Sequence, residues 1–264
     1  MSQRHGDIRA GGHHGMIARW HQAVLALVLL TRLPLAGLLP ARTIPLAGAA
    51  WAFPLAGVVV GGLGAGVMAV VPLPPMIAAM LAVAAMIAIT GALHEDGLAD
   101  FTDAAGGHNR EQRLEIMRDS RIGSYGVLAL ILAVGLRVAM LAALPSAALW
   151  LVVGVAVASR AGMVAVMRLP AARADGMGHT AGRPSRRAVI VALTIGAAAL
   201  IATAELAGQP LAALSLIGII AAAALTAYHA YQKLGGQTGD VLGTTQQLCE
   251  ISGMLIVLCV CQTP

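Results

Sequence analysis

Apolar windows of about 18 or more residues recur along this chain, at 20–39, 46–71, 76–93, 127–144, 147–168, 188–207, 211–232 and 244–261. Runs of that length leave few folding choices. In hydrocarbon a helix satisfies its own backbone, and about 20 residues cross the bilayer. The composition agrees: 58% of residues are hydrophobic and 11% charged, where a soluble domain carries roughly 25%. The expected fold class is therefore all-α, a polytopic membrane bundle. Its single transmembrane domain spans 20–264, after a disordered polar tail at 1–19 that has no signal-peptide pattern.

Within the first window, Arg32 and Pro34 break the apolar run, and either is costly at mid-membrane. Parity bears on its fate. The connections 72–75, 145–146 and 208–210 are short and uncharged, whereas 94–126, 169–187 and 233–243 are longer and polar. Each polar connection lies two spans from the next, so all three share one face. Every Lys and Arg except Arg137 and Arg160 falls in those connections, at their helix ends or in the region through Arg42. The positive-inside rule then puts the polar loops in the cytoplasm. With the tail on the same side, segment 20–39 cannot cross. We expect seven full spans preceded by an interfacial or re-entrant element, and eight spans with an external N-terminus is the alternative.

The pI of about 9.7 is thus a property of cytoplasmic loops and does not indicate nucleic acid. Gly57 to Val67 carries small-xxx-small spacings and reads as a helix-packing face; no strand precedes it and no Lys-Ser/Thr closes it, so it is not a phosphate loop. Cys249, Cys259 and Cys261 read as reduced apolar residues.

Seven of the 12 acidic residues fall within His94–Gly126: Glu95, Asp96, Asp100, Asp103, Glu111, Glu115 and Asp119. Asp96, Asp100 and Asp103 are spaced i, i+4, i+7, on one face of a helix. Three carboxylates so placed repel one another, and a divalent cation relieves the repulsion. Hard oxygen donors without cysteine favour Mg²⁺ or Mn²⁺. The bland alternative is a solvated acidic helix face. In EIMRDSRIGSYG (115–126), Arg118 and Arg121 flank Asp119 and Ser120, with Gly123 and Gly126 behind. Guanidinium forks and a glycine-flanked turn suit phosphate oxygens. Glu111 and Glu115 are assigned to salt bridges along the linker helix. LGGQTGDVLG (234–243) offers a second anion-friendly loop through Gly236, Gln237 and Thr238, with Asp240 as a further acidic ligand. Ser159 and Arg160 lie roughly 12 Å inside a span, within reach of a phosphate; Arg137 is deeper and reads as structural. His94 could be a general base or a helix cap.

Together TRLP (31–34), His94 with DGLADFTD (96–103), EIMRDSRIGSYG (115–126), SR (159–160) and LGGQTGDVLG (234–243) resemble the cobalamin synthase (adenosylcobinamide-GDP ribazoletransferase) family, in that family's order over about 230 residues. The resemblance implies an Mg²⁺-dependent transferase of the bacterial cytoplasmic (inner) membrane. It would join adenosylcobinamide-GDP to α-ribazole, or its 5′-phosphate, releasing GMP, with Asp96, Asp100 and Asp103 on the metal. Arg118, Arg121 and Arg160 would neutralise the leaving group, and Asp119, Asp240 or His94 would take the proton. Expected partners are these small molecules and the lipid bilayer, with room for a homo-oligomer and for contacts with other corrin-pathway enzymes. The DGLAD element is also similar to the aspartate-rich helix of CDP-alcohol phosphotransferases, whose fuller pattern is absent. A phospholipid synthase of that kind is one alternative. A transporter and a non-catalytic scaffold are others.

Overall fold

The computed structural model describes residues 4–261, which form helices α1 (Arg4–Leu30), α2 (Leu46–Ala49), α3 (Phe53–Val70), α4 (Pro75–Thr90), α5 (Leu93–Asp103), α6 (Arg110–Ile116), α7 (Ser124–Ala143), α8 (Trp150–Val166), α9 (Met177–Ala181), α10 (Arg186–Leu206), α11 (Ser215–Leu234) and α12 (Gly239–Cys261). Among the described residues the only β-type pairing is an isolated parallel bridge between Ala171 and Gln237. Six stretches, 46–70, 124–143, 146–166, 186–206, 210–234 and 239–261, are long and apolar enough to cross a bilayer. Counting the bent pair α4–α5 as one brings the number to the expected seven.

Segment 20–39 is not among them. The apolar part of α1, from Gly15 to Leu30, is too short to span, and the chain leaves the helix at Thr31, just before Arg32 and Pro34. Residues 1–3 of the expected tail lie outside the described residues, and the boundary expected at residue 19 falls inside α1. Gln22 accepts a hydrogen bond from the Trp51 indole at 2.8 Å, and Arg19 sits 5.6 Å from the Trp51 ring centre, which fastens α1 to the start of α3.

Helix α8 is the axle of the bundle. Of its span, 78% is buried inside the molecule, against 28% for each of α7, α10 and α11, whose Ile131, Leu132, Ile190 and Ile217 face outward as lipid-exposed surface requires. Gly57 and Gly61 let α3 lie directly on α8: a Cβ at Gly57 would meet Val157 Cα at 2.5 Å, and one at Gly61 would meet Val153 Cα at 2.8 Å. The packing face expected over 57–67 is therefore real, and its physical content is backbone-to-backbone contact.

One elbow positions the site. Pro75 starts α4, and Gly91 ends it in the left-handed region at φ 65°; Ala92 follows at φ 58°, unusual for a residue with a Cβ. The chain turns by 88° into α5, the polar limb of the pair. TRLP secures this elbow from outside: the Arg32 N–H donates to Ile89 O at 2.6 Å, and the Arg32 side chain rests against Gly91.

Candidate active site

Helix α5 lies on α12 and α7 with almost no side chain between α5 and α12. A Cβ at Gly97 would sit 3.0 Å from Asp240 Cα, and one at Gly243 would sit 3.2 Å from His94 Cα. The Thr244 hydroxyl donates to Gly97 O at 3.0 Å across the same contact. Helix α12 begins earlier than the span expected at 244. Thr238 caps it, accepting from Val241 N at 3.3 Å, so Asp240 stands in its first turn against α5.

The three polar connections do meet at one end of the bundle, as parity requires. Arg110 of α6 donates to Leu234 O at 2.7 Å and to Ala172 O at 2.6 Å. Gln237 N–H donates to Pro170 O at 2.8 Å, Ala172 N–H donates to Gln237 O at 2.9 Å, and the Gln237 side chain donates to Gly178 O at 3.0 Å. Gly236 packs directly on the carbonyl of Pro170. Gly236, Gln237 and Thr238, expected to bind an anion, are thus occupied in joining loops and capping α12. Both Gln237 and Thr238 are buried.

At this end Asp96 is exposed, and Asp100 and Asp240 are half-buried. Among the described residues Asp96 and Asp100 have no ion-pair partner. Partial burial and the neighbouring charges of Asp96, Asp240 and Asp103 push the Asp100 carboxyl up to about 6, with the Arg173 guanidinium easing the repulsion. Asp103 shares the face but has another task. Its two oxygens accept from Gly123 N at 2.7 Å and Gly126 N at 2.8 Å, capping the start of α7. The expected aspartate face therefore divides: Asp96 and Asp100 open towards Asp240 on another helix, while Asp103 holds the backbone. Among the described residues no three His, Cys, Asp or Glu side chains form a ready-made metal cage. The hard-oxygen set still fits Mg²⁺, which uses one or two carboxylates and completes its shell with water and phosphate oxygens.

The arginine turn lies further out. Asp119 is bound by Arg121 in a 2.6 Å ion pair that holds its carboxyl well below the usual range, and Ser120 is exposed beside them. Arg118 pairs with Asp175 at 2.6 Å, both largely exposed, and the hydrogen bonds from Arg118 lower the Asp175 carboxyl. Neither Glu111 nor Glu115 makes an ion pair among the described residues. Helix α6 is instead capped by Asn109, which accepts from Gln112 N at 2.9 Å.

Ser159 and Arg160 are buried in the core. Arg160 is 1% exposed and its guanidinium lies 3.6 Å from Glu250, a residue of α12 that the sequence reading overlooked. Glu250 also pairs with Arg137 at 3.1 Å, and Arg137 reaches Glu95 at 2.7 Å. Gln247 donates to Glu95 at 3.0 Å, and Gln246 bridges Ser159 and Glu250. Two arginines and two glutamates thus neutralise one another in the core, where an unpaired charge would be prohibitive. The placement of Arg137 as structural agrees with this network, and Arg160 belongs with it. Arg173 at the carboxylates is a second residue the sequence reading did not single out. Only its place in a polar connection hinted at it.

His94 lies in the first turn of α5, 1% exposed, and makes no capping hydrogen bond. Its Nε2 is buried without a partner.

Taken together, the fold and these groups define a helical membrane protein with a carboxylate-lined pocket at its polar end. A family model described as cobalamin-5-phosphate synthase matches residues 22–258, and the chain belongs to that family. It is 45% identical to the adenosylcobinamide-GDP ribazoletransferase of Bradyrhizobium diazoefficiens over 88% of this chain and 91% of that one. Proteins of the same name from Azorhizobium caulinodans and Mesorhizobium japonicum are each 44% identical, covering 79% and 88% of this chain and 83% and 90% of theirs. No solved structure matches. The resemblance drawn from the five motifs is borne out.

Proposed function

We propose that this chain catalyses a late joining step of cobalamin assembly, condensing adenosylcobinamide-GDP with α-ribazole or its 5′-phosphate and releasing GMP. The observation that carries this reading is the set of carboxylates without cationic partners, Asp96 and Asp100 facing Asp240, in a chain of this family. The acceptor hydroxyl oxygen bonds to the phosphorus attached to cobinamide, the bond from that phosphorus to the GMP oxygen breaks, and the hydroxyl proton passes to a base. Asp96 and Asp100, with Asp240 facing them, would offer Mg²⁺ one or two carboxylates, and the ion when bound would screen the pyrophosphate charge. Arg173 stands where it can meet a phosphate oxygen. Arg118 and Arg121 can turn to the same charge from their exposed pairs, and positioning of this kind is most of what phosphoryl transfer asks of a protein. Asp119, held ionised by Arg121, is a weak base. That leaves His94 and Asp240 of the three candidates.

The basic residues gathered in the polar connections support a bacterial inner-membrane protein whose polar end faces the cytoplasm. Purified protein should release GMP from adenosylcobinamide-GDP plus α-ribazole with Mg²⁺ and stop on chelation. A CDP-linked lipid should not replace the donor. Absence of release with any divalent cation would sink the reading.

A further inference from the structure

Behind the carboxylates, between α5 and α8, lies a cavity of about 130 Å³. Its lining is largely apolar and includes Leu30, Leu46, Phe53, Met163 and Met167. His94, Asp96 and Asp240 are the polar side chains of the lining. His94 is the second, independent sign of a ligand. A buried imidazole nitrogen without a hydrogen-bond partner is costly, and bound molecules are a common remedy.

Size narrows the occupant. An aliphatic cavity of about 150 Å³ holds a benzene ring in another protein. A space of this scale admits a small aromatic ring system and excludes a corrinoid, and the bulk of a dinucleotide-like donor cannot enter either. Resting on the function proposed above, we infer that this cavity seats the apolar ring of the nucleoside acceptor, with its sugar directed towards Asp96 and Asp240. Methionine thioethers adapt to such a ring and attract its edge. His94 Nε2 hydrogen-bonds the acceptor, and the donor stays outside, its pyrophosphate at the carboxylates. The acceptor hydroxyl then meets phosphorus at the boundary between cavity and mouth, which is the arrangement transfer requires.

Ala181 lines the cavity from α9, and a larger side chain there would take up ring space. The intact protein in detergent would be assayed for the KM of each substrate, and for α-ribazole binding by calorimetry without donor or metal. Ala181→Phe should raise the acceptor KM and Kd at least tenfold while the donor KM and the melting temperature hold. Met163→Ala, which enlarges the space, should improve the use of a benzimidazole riboside with bulkier ring substituents relative to α-ribazole. His94→Gln, able to hydrogen-bond, should retain more acceptor affinity than His94→Leu. If wild type turns over and Ala181→Phe keeps normal acceptor constants, the cavity assignment is wrong and the function stands. A wild type that releases no GMP would overturn the function instead. Should Ala181→Phe fail to fold, unchanged ring selectivity in Met163→Ala would overturn the assignment by itself.

Discussion

Glu95 and Asp96 are neighbours on α5, and their surroundings could hardly differ more. Glu95 is buried and held by Arg137 and Gln247, in a network completed by Glu250 and Arg160. Asp96 is exposed beside Asp100 and Asp240, without an ion-pair partner among the described residues. A 100° step along one helix separates a charge that holds the bundle together from a charge left available to a ligand. Acidity alone therefore says little about function in this chain. For these two neighbours, the presence or absence of a cation from another helix separates the structural carboxylate from the available one.

The largest effect expected from this contrast is on folding. Glu250→Ala would leave Arg137 and Arg160 facing each other without their shared anion, and removing one partner of a buried pair costs about 3–5 kcal/mol. Thermal unfolding in detergent should show a large drop. Normal melting with lost turnover would break the comparison by putting the core network in the active site.

At the mouth the expectation reverses. Asp100→Asn should cut GMP release by about a hundredfold or more, roughly the 2.7 kcal/mol lost with one group that stabilises transition-state charge, and should leave melting unchanged or raised because repulsion is removed. The pH dependence follows from the same crowding. Asp100 titrates near 6 in the folded protein and near 3.8 unfolded, so the folded state binds its proton more tightly. That contribution to stability is fully present below about pH 4 and is lost as pH rises through 6. In metal-free buffer, melting temperature should fall between pH 4 and 6 in wild type, and Asp100→Asn should flatten the slope. An unchanged slope would place the crowding elsewhere.

The smallest effect sharpens the role of the outer arginines. Arg118→Ala removes a well-exposed pair with Asp175 and should change stability by less than about 1 kcal/mol. A loss of activity beyond tenfold with intact melting would assign Arg118 to the substrate, its Asp175 pair being a resting state. Near-normal turnover would leave it a loop fastening.

Much of this was legible before any coordinates. Apolar length gave the spans, Arg32 and Pro34 marked the break that keeps 20–39 from crossing, and the parity of polar connections brought 94–126, 169–187 and 233–243 together. What the fold adds has one cause, which is that partners distant in sequence are invisible to local spacing. Helical periodicity puts Asp103 with Asp96 and Asp100, and only the fold brings Gly123 and Gly126 N–H groups to its oxygens. Arg160 was read towards a phosphate because Glu250, one polar residue in an apolar span, was passed over. A glutamate inside a membrane helix, with Gln246 one turn before it, was the available signal. The loop over 234–238 looked like an anion site because its glycines and amides are equally suited to binding backbone.

The contact of Gly97 with the backbone of α12 has a consequence for how the pocket could change. The spacing between carboxylates on α5 and Asp240 on α12 is fixed by two missing methyl groups, at 97 and 243, rather than by any side chain that could adjust. A single added carbon at either position works as a shim. It would push the acidic helix off its neighbour and widen the gap by a few tenths of an ångström or more, without touching a charged residue. Pocket width is thereby separable from pocket chemistry, and the size of whatever sits between the carboxylates is the property such a shim would select.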